Sequence, residues 1–163
     1  MGKQLDKNEV YRIYVFDEMA KKTRHSLEDL GHYVDSLDDD KIKELCRHCS
    51  YSRKNGVYRF ISRGPNRWTV KIVNISDIYV RCINSKVNGH LSRNRWSLKR
   101  ISKDKKISKL REFKRRGKIH SRNLFFIAHK KENKYKLIDG NHRAIKLACR
   151  GQKEFRLVFY VRQ

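Results

Sequence analysis

Apolar positions in the first 50 residues recur at the three- and four-residue spacing of helices. One such stripe predicts a helix over residues 7–22. Ser26, with Asp29 three positions later, resembles a capping box and predicts the start of a second helix. The acidic run at 38–40 suits the positive end of a third helix, which is predicted to reach Cys49. The first third of the chain is therefore predicted to be helical.

The pattern changes after residue 55 to short apolar runs of the kind that form strands. Runs at 57–61 and 68–72 predict two strands around a Gly-Pro-Asn turn at 64–66, and 78–80 predicts another strand. Residues 84–105 show little periodicity, which favours a basic loop. The elements expected beyond it are a helix with Gly117 at its end, a strand at 124–127, a hairpin turn at 130–134, a strand at 135–138, a helix ending at Gly151 and a strand at 155–161.

Helices followed by a mixture of strands and helices are typical of the α+β class. We predict a small mixed sheet with helices in a domain at residues 56–163, preceded by an N-terminal helical extension at residues 1–55. A chain of 163 residues is long enough for one domain and such an extension.

Charge divides the chain near the same place. Residues 1–50 contain nine lysines and arginines and eleven acids, whereas residues 51–163 contain 32 and six. The whole chain carries a formal charge of +24, and self-repulsion of that size opposes compaction unless a polyanion offsets it. We therefore expect a DNA or RNA backbone as partner. An alternative is a small regulator whose N-terminal helices bind a host protein through the near-neutral residues 1–50.

Composition excludes several other classes of protein. No apolar run of 18 residues is present to span a membrane, and the N-terminus lacks the apolar segment of a secretory signal. One proline and eight glycines exclude a collagen or a linker. Four cysteines in a chain of this length favour reduced thiols rather than a disulfide scaffold. We expect a cytoplasmic, nucleoid-associated protein.

The densest basic stretch is residues 93–122, which contains fourteen lysines and arginines and two acids. This density exceeds what solubility requires and is typical of a nucleic-acid interface. Trp96 lies within the stretch and has a ring that can stack on bases. The candidate nucleic-acid-binding residues are Arg93, Arg95, Lys99, Arg100, Lys105, Lys106, Lys114, Arg115, Arg116, Lys118 and Arg122.

The sequence Asp139-Gly140-Asn141-His142-Arg143 stands between a predicted strand and a predicted helix. A glycine turn that enters a helix presents backbone N–H groups to an anion. Arg143 has a guanidinium fork that fits phosphate oxygens, and Asn141 is a suitable N-cap. We predict that Gly140, Asn141, His142 and Arg143 bind phosphate, with Asp139 and His142 as the candidates for any catalysis. The alternative is that Asp139 and Gly140 only shape the turn.

Residues 109–151 resemble the core of the ParB N-terminal/sulfiredoxin-like superfamily, in which a helix, a strand, a hairpin and a second strand lead into D-G-x-x-R and a helix that ends in glycine. Residues 70–78 suit the family's opening strand, so the resemblance covers about residues 68–163. It implies a sheet and helices of ParB/sulfiredoxin-like type, with a phosphate of DNA or of a nucleotide at the D-G-x-x-R turn. The function that it implies is DNA binding in a prokaryotic or viral protein.

The departures from the family limit the chemistry that the resemblance implies. Asn141 replaces the reactive cysteine of sulfiredoxins, and the glutamate base of related free-serine kinases has no counterpart in the acid-free stretch 88–96. Arg93 or Arg95 stands in for the arginine motif of chromosome-partitioning ParB proteins, whose helix-turn-helix domain is not expected here. A nuclease, a kinase or a nucleotide hydrolase, with a nucleoside triphosphate and Mg²⁺ as cofactors, is the alternative.

Metal sites are not predicted. The six acids after residue 50 are too scattered to assume a two-metal nuclease. Cys46 and Cys49 have the spacing of a zinc knuckle, but the two remaining cysteines, Cys82 and Cys149, are single and distant. Because Cys46 and Cys49 share the apolar face of the predicted third helix, we predict that they are packing residues.

Overall fold

The computed structural model describes residues 2–49, 56–81, 96–105 and 125–161. These residues divide into two compact units between Thr69 and Val70. Across both units they form six α-helices and seven β-strands, and the strands pair in both parallel and antiparallel directions. The α+β class and the mixed sheet are therefore confirmed.

The first unit is built around one central helix. Its elements are β1 (Lys3–Asp6), α1 (Lys7–Ala20), α2 (Leu27–Ser36), α3 (Asp39–Cys49) and α4 (Gly56–Arg63). Helix α1 contacts α2, α3 and α4, so its apolar side chains form the centre of this unit's core. The buried apolar residues of the first unit include Val10, Tyr14, Val15, Leu30, Val34, Ile42, Cys46, Val57 and Ile61.

The helices predicted before residue 50 are present, and their N-termini are capped. Ser26 Oγ accepts a hydrogen bond from Asp29 N–H at 3.0 Å, as the sequence indicated. The start of α1 has a capping box that was not predicted. Asp6 accepts from Glu9 N–H at 2.8 Å, and Glu9 Oε2 accepts from Asp6 N–H at 2.7 Å. These bonds satisfy N–H groups that a helix cannot pair internally.

The strand predicted at 57–61 is wrong, because these residues form α4. Val57 and Ile61 are both buried and lie four residues apart, which places them on one face of a helix. The helix ends at Gly64, whose N–H donates to Phe60 O at 3.1 Å. The strand preference of β-branched and aromatic residues is weak, and packing overrides it here.

The second unit contains a mixed sheet and two helices. Its elements are β2 (Arg67–Asn74, largely in this unit), a 3-10 turn (Ile75–Asp77), β3 (Ile78–Val80), β4 (Trp96–Ser97), α5 (Leu98–Lys103), β5 (Phe125–Lys131), β6 (Lys134–Leu137), α6 (Asn141–Cys149) and β7 (Glu154–Val161). The strand order is β2-β7-β5-β6-β3-β4. The pairs β5–β7 and β3–β6 are parallel, whereas β5–β6 and β3–β4 are antiparallel.

Most elements predicted for the C-terminal third are confirmed. The strand, hairpin, strand, helix and final strand occur in the predicted order, and Gly151 ends α6 with φ 94°. The loop predicted at 84–105 is wrong at its end, where β4 and α5 form because Leu98 and Ile101, one helical turn apart, are buried. The helix predicted to end at Gly117 lies outside the described residues.

No helix among the described ranges is long and apolar enough to cross a membrane.

Candidate phosphate-binding turn and basic surface

The turn between β6 and α6 is held in place by β5. The N–H groups of Ile138 and Asp139 both donate to Ile127 O, at 2.8 and 3.3 Å. Gly140 then adopts φ 80°, and its carbonyl accepts the first helical bond from Ala144 N–H at 2.8 Å. The N-terminus of α6 therefore opens within the predicted D-G-N-H-R sequence.

Position 140 has no room for a side chain. A Cβ atom there would lie 2.6 Å from Phe126 Cδ1 and 3.3 Å from Arg143 Nη2. A φ of 80° is also a conformation that residues with a Cβ rarely adopt. Glycine is therefore required both by the backbone conformation and by the close approach of the Phe126 ring.

The half-buried side chain of Arg143 contacts the start of β5. Its Nη2 donates to Phe125 O at 2.9 Å, and its guanidinium carbon lies 4.9 Å from the centre of the Phe126 ring. The guanidinium group is thus positioned by a carbonyl and by a ring. A guanidinium has five N–H donors, of which this carbonyl takes one.

Asn141 is not the N-cap that we predicted. Gly140 occupies that position, and Asn141 is the first residue of α6. The Asn141 side chain is buried, and its Oδ1 accepts a hydrogen bond from Arg81 N–H at 2.7 Å. This bond ties the residue after β3 to the start of α6, so the amide has a structural role that local sequence did not reveal.

The two candidates for catalysis have different environments. Asp139 is buried within the turn, whereas His142 is exposed on the first turn of α6. Across the described parts of the chain, no group of three or more histidine, cysteine and acidic side chains is arranged to hold a metal ion.

The basic residues predicted to contact nucleic acid are described in part. Lys99, Arg100 and Lys105 are exposed, and the Arg100 guanidinium lies 4.1 Å from the centre of the Trp96 ring. All three belong to the second unit. The other eight candidates lie outside the described residues: Arg93, Arg95, Lys106, Lys114, Arg115, Arg116, Lys118 and Arg122.

Further cations on the sheet were missed by the sequence analysis. Lys134 Nζ lies 5.3 Å from the centre of the Tyr79 ring, and the Arg156 guanidinium lies 5.6 Å from that of Phe125. Such pairs are weak contacts at exposed sites. The alternation of lysine with apolar residues over 134–137 was the one signal in the sequence that pointed to a cationic sheet face.

Cys46 packs in the core of the first unit. It is fully buried on α3, the helix that contacts α1. Cys49 is half-buried, and its pKa is raised, first by desolvation and second by the charge of Glu18. The two thiols therefore differ in surroundings, although they lie on one helix.

We expect Cys46→Ser to destabilise the protein by about 1–3 kcal/mol, because it buries a hydroxyl in an apolar core. Cys49→Ser is expected to cost clearly less, since that side chain is only half-buried. Thermal unfolding with and without a chelator measures both effects. Stoichiometric zinc in the purified protein, lost in Cys49→Ser, would contradict the packing role.

Comparison of the chain with protein-family models, with curated proteins and with solved structures found no match in any of the three.

Proposed function

We propose that this chain is a nucleic-acid-binding protein, with DNA as the expected polymer, and that its second unit contacts the phosphate backbone. The supporting observation is charge. The described residues of the second unit include fifteen lysines and arginines and five acids, whereas those of the first unit include twelve and eleven. A polyphosphate backbone offsets such a surplus and releases its own counterions on binding.

The first unit balances its charges internally. Arg12 Nη2 lies 2.9 Å from Asp39 Oδ1, and Lys41 Nζ lies 2.8 Å from Glu44 Oε2. Arg12 also donates to the carbonyls of Val34 and Leu37, at 2.7 and 2.8 Å. The Arg12 contacts join helices α1, α2 and α3, whereas the Lys41–Glu44 pair lies within α3, so these two cations are paired inside the first unit.

We place one phosphate of the bound polymer at the start of α6, as the resemblance to the ParB/sulfiredoxin-like superfamily implies. The first N–H groups of a helix have no acceptor within the helix, and the helix dipole favours an anion there. Gly140 has the backbone conformation from which the helix starts, and His142 is exposed on the first turn beside it. Asn141 would contribute its backbone N–H, because its side chain holds Arg81.

Binding is proposed in preference to catalysis because the charge of the second unit selects a polyanion whether or not a reaction follows. The alternative, a nucleotide-dependent enzyme, makes a different prediction. The wild-type chain would hydrolyse ATP, CTP or GTP, or cleave DNA, and His142→Ala would abolish that activity. Binding of DNA without turnover is the result expected here.

Arg143→Lys is expected to weaken binding of a short DNA duplex about tenfold to a hundredfold, as loss of a charge-assisted hydrogen bond implies. Lysine keeps the charge but not the fork. Lys146→Ala, one helical turn further on, serves as the matched control and is expected to cost much less. Calorimetry at one fixed salt concentration gives both affinities.

Arg143 also contacts Phe125 and Phe126, so its packing role must be separated from phosphate binding. Arg143→Ala should reduce the slope of log affinity against log salt by about one if the residue contacts a phosphate. A lower melting temperature with an unchanged slope would instead assign Arg143 to packing alone. Equal losses for Arg143→Lys and Lys146→Ala would leave the turn without a special role.

A further inference from the structure

The register of the second unit's sheet aligns five side chains in one row. Tyr79 of β3 pairs with Ser97 of β4 on one side and with Lys136 of β6 on the other. The row continues from Lys136 to His129 of β5, and from His129 to Tyr160 of β7. Directly paired residues project from the same face of a sheet, so these side chains share one face.

The opposite face is largely apolar. Five residues next to the row along their strands are buried: Ile78, Val80, Leu137, Ala128 and Phe159. At the ends of β5 and β7, Lys130 is only partly covered and Val161 is exposed. In the row itself, Ser97, Tyr79, Lys136 and Tyr160 are half-exposed, and His129 is the buried centre of the row. Ile127 and Val158 lie two positions from His129 and Tyr160 on the same face and are buried, so this face is covered over part of β5 and β7 and is polar, basic and aromatic along the rest of the row.

One half-exposed part of this row surrounds Tyr79. Lys136 is its direct neighbour, and the exposed Lys134 has its Nζ 5.3 Å from the centre of the Tyr79 ring. That distance is near the outer limit of about 6 Å for a cation–π contact, so Lys134 loses little by leaving the ring for a phosphate. One ring between two lysines thus stands on a half-exposed sheet face.

This combination fits one class of ligand. Aromatic rings on a sheet stack on unpaired bases, while neighbouring cations contact the phosphates on either side of the base. A base inside a duplex is already stacked and offers no face to the ring. A ring flanked by lysines therefore distinguishes a single strand from a duplex, which the net charge alone does not.

We infer that Tyr79, Lys134 and Lys136 form a binding site for an unpaired base and its adjacent phosphates in single-stranded nucleic acid. The inference rests on the proposed function and adds single strands to the nucleic acids that the second unit binds. Tyr160 lies three strand spacings from Tyr79, about 14 Å, so it offers a second ring to a different base of the same strand.

The test compares oligothymidine, oligouridine and a DNA duplex of equal length by fluorescence anisotropy at one salt concentration. Tyr79→Ala should weaken binding of the two single strands about fivefold to a hundredfold, as expected for one stacked base, and leave the duplex within about twofold. Tyr79→Phe should bind as the wild type does, because it keeps the ring. Tyr33→Ala removes an exposed tyrosine of the first unit and should change nothing.

Different outcomes test the site at Tyr79 and nucleic-acid binding by the chain. Wild-type protein that binds neither single strands nor duplex would overturn the proposed function. Wild-type protein that binds both, with Tyr79→Ala weakening both equally or neither, would overturn the site at Tyr79 alone. Photo-crosslinking of the wild-type chain to a bromouracil-containing strand avoids any folding defect of the variant. A crosslinked peptide containing Tyr79 supports the site, and crosslinks that omit it contradict it.

Discussion

Gly140→Ala is expected to lower the free energy of unfolding by about 2–5 kcal/mol. Two causes add at this position. The backbone has φ 80°, which is costly for any residue with a Cβ, and the new methyl group would lie 2.6 Å from a Phe126 ring carbon. The ring is buried and packs edge-on against Phe155 at 5.4 Å, so it has little room to move.

Gly151→Ala is the matched control for this prediction. Gly151 has φ 94°, but a Cβ there would meet no atom within 4 Å. The control should therefore show the backbone cost alone, about 1–2 kcal/mol. Urea unfolding of both variants measures the difference. Equal losses would show that the Phe126 ring gives way, and an unchanged stability in Gly140→Ala would contradict the geometry of the turn.

The consequence for function is direct. The start of α6 is the proposed phosphate site, and its backbone is fixed by the ring that excludes a side chain at position 140. A variant that folds but displaces this turn should lose the contribution of the turn and keep the contribution of the surrounding lysines. The loss of affinity should then resemble that of Arg143→Ala rather than a complete loss of binding.

Periodicity in the sequence was sufficient to predict the three N-terminal helices and the succession of elements after residue 125. Each of these carries its own local pattern, and Ser26 and Gly151 mark helix ends by their chemistry. The helix α4 was missed because its residues favour strands locally. The burial of Val57 and Ile61 in the core stabilises the helix instead. Local preference and final structure disagree where packing between distant segments dominates.

The hydrogen-bond partners of the site residues could not be predicted from the sequence. Asn141 binds a backbone group 60 positions earlier, and Arg143 binds one 18 positions earlier. The row through Tyr79, Lys136 and Tyr160 depends on the register of two parallel strand pairs and one antiparallel pair, and no local pattern specifies the parallel registers. The sequence located the D-G-N-H-R turn and the excess of positive charge, but not the contacts that arrange them.

Affinity for a DNA duplex is expected to fall about a thousandfold between roughly 50 and 200 mM salt, if about six phosphates are neutralised. The reason is that each neutralised phosphate releases condensed counterions, and added salt opposes that release. The described residues of the second unit have an excess of ten positive charges, which is enough to contact six phosphates.

Two double variants test whether the salt dependence of binding comes from the surface of the second unit. Replacing Lys99 and Lys103, both exposed on α5, by glutamine should reduce the slope of log affinity against log salt by about 0.9 for each lysine that contacts a phosphate. Replacing Lys3 and Lys22, both exposed in the first unit, removes the same total charge. An equal reduction in the two variants would show that net charge, and not the surface of the second unit, governs binding.

The slope of log affinity against log salt for the wild-type chain on a duplex is the most direct test of nucleic-acid binding through the phosphate backbone. Fluorescence anisotropy across several salt concentrations gives this slope. Six neutralised phosphates predict a value near −5, at about −0.9 per contact. A slope near zero, or no measurable binding at the lowest salt, would contradict the proposal that this chain binds nucleic acid through its basic unit.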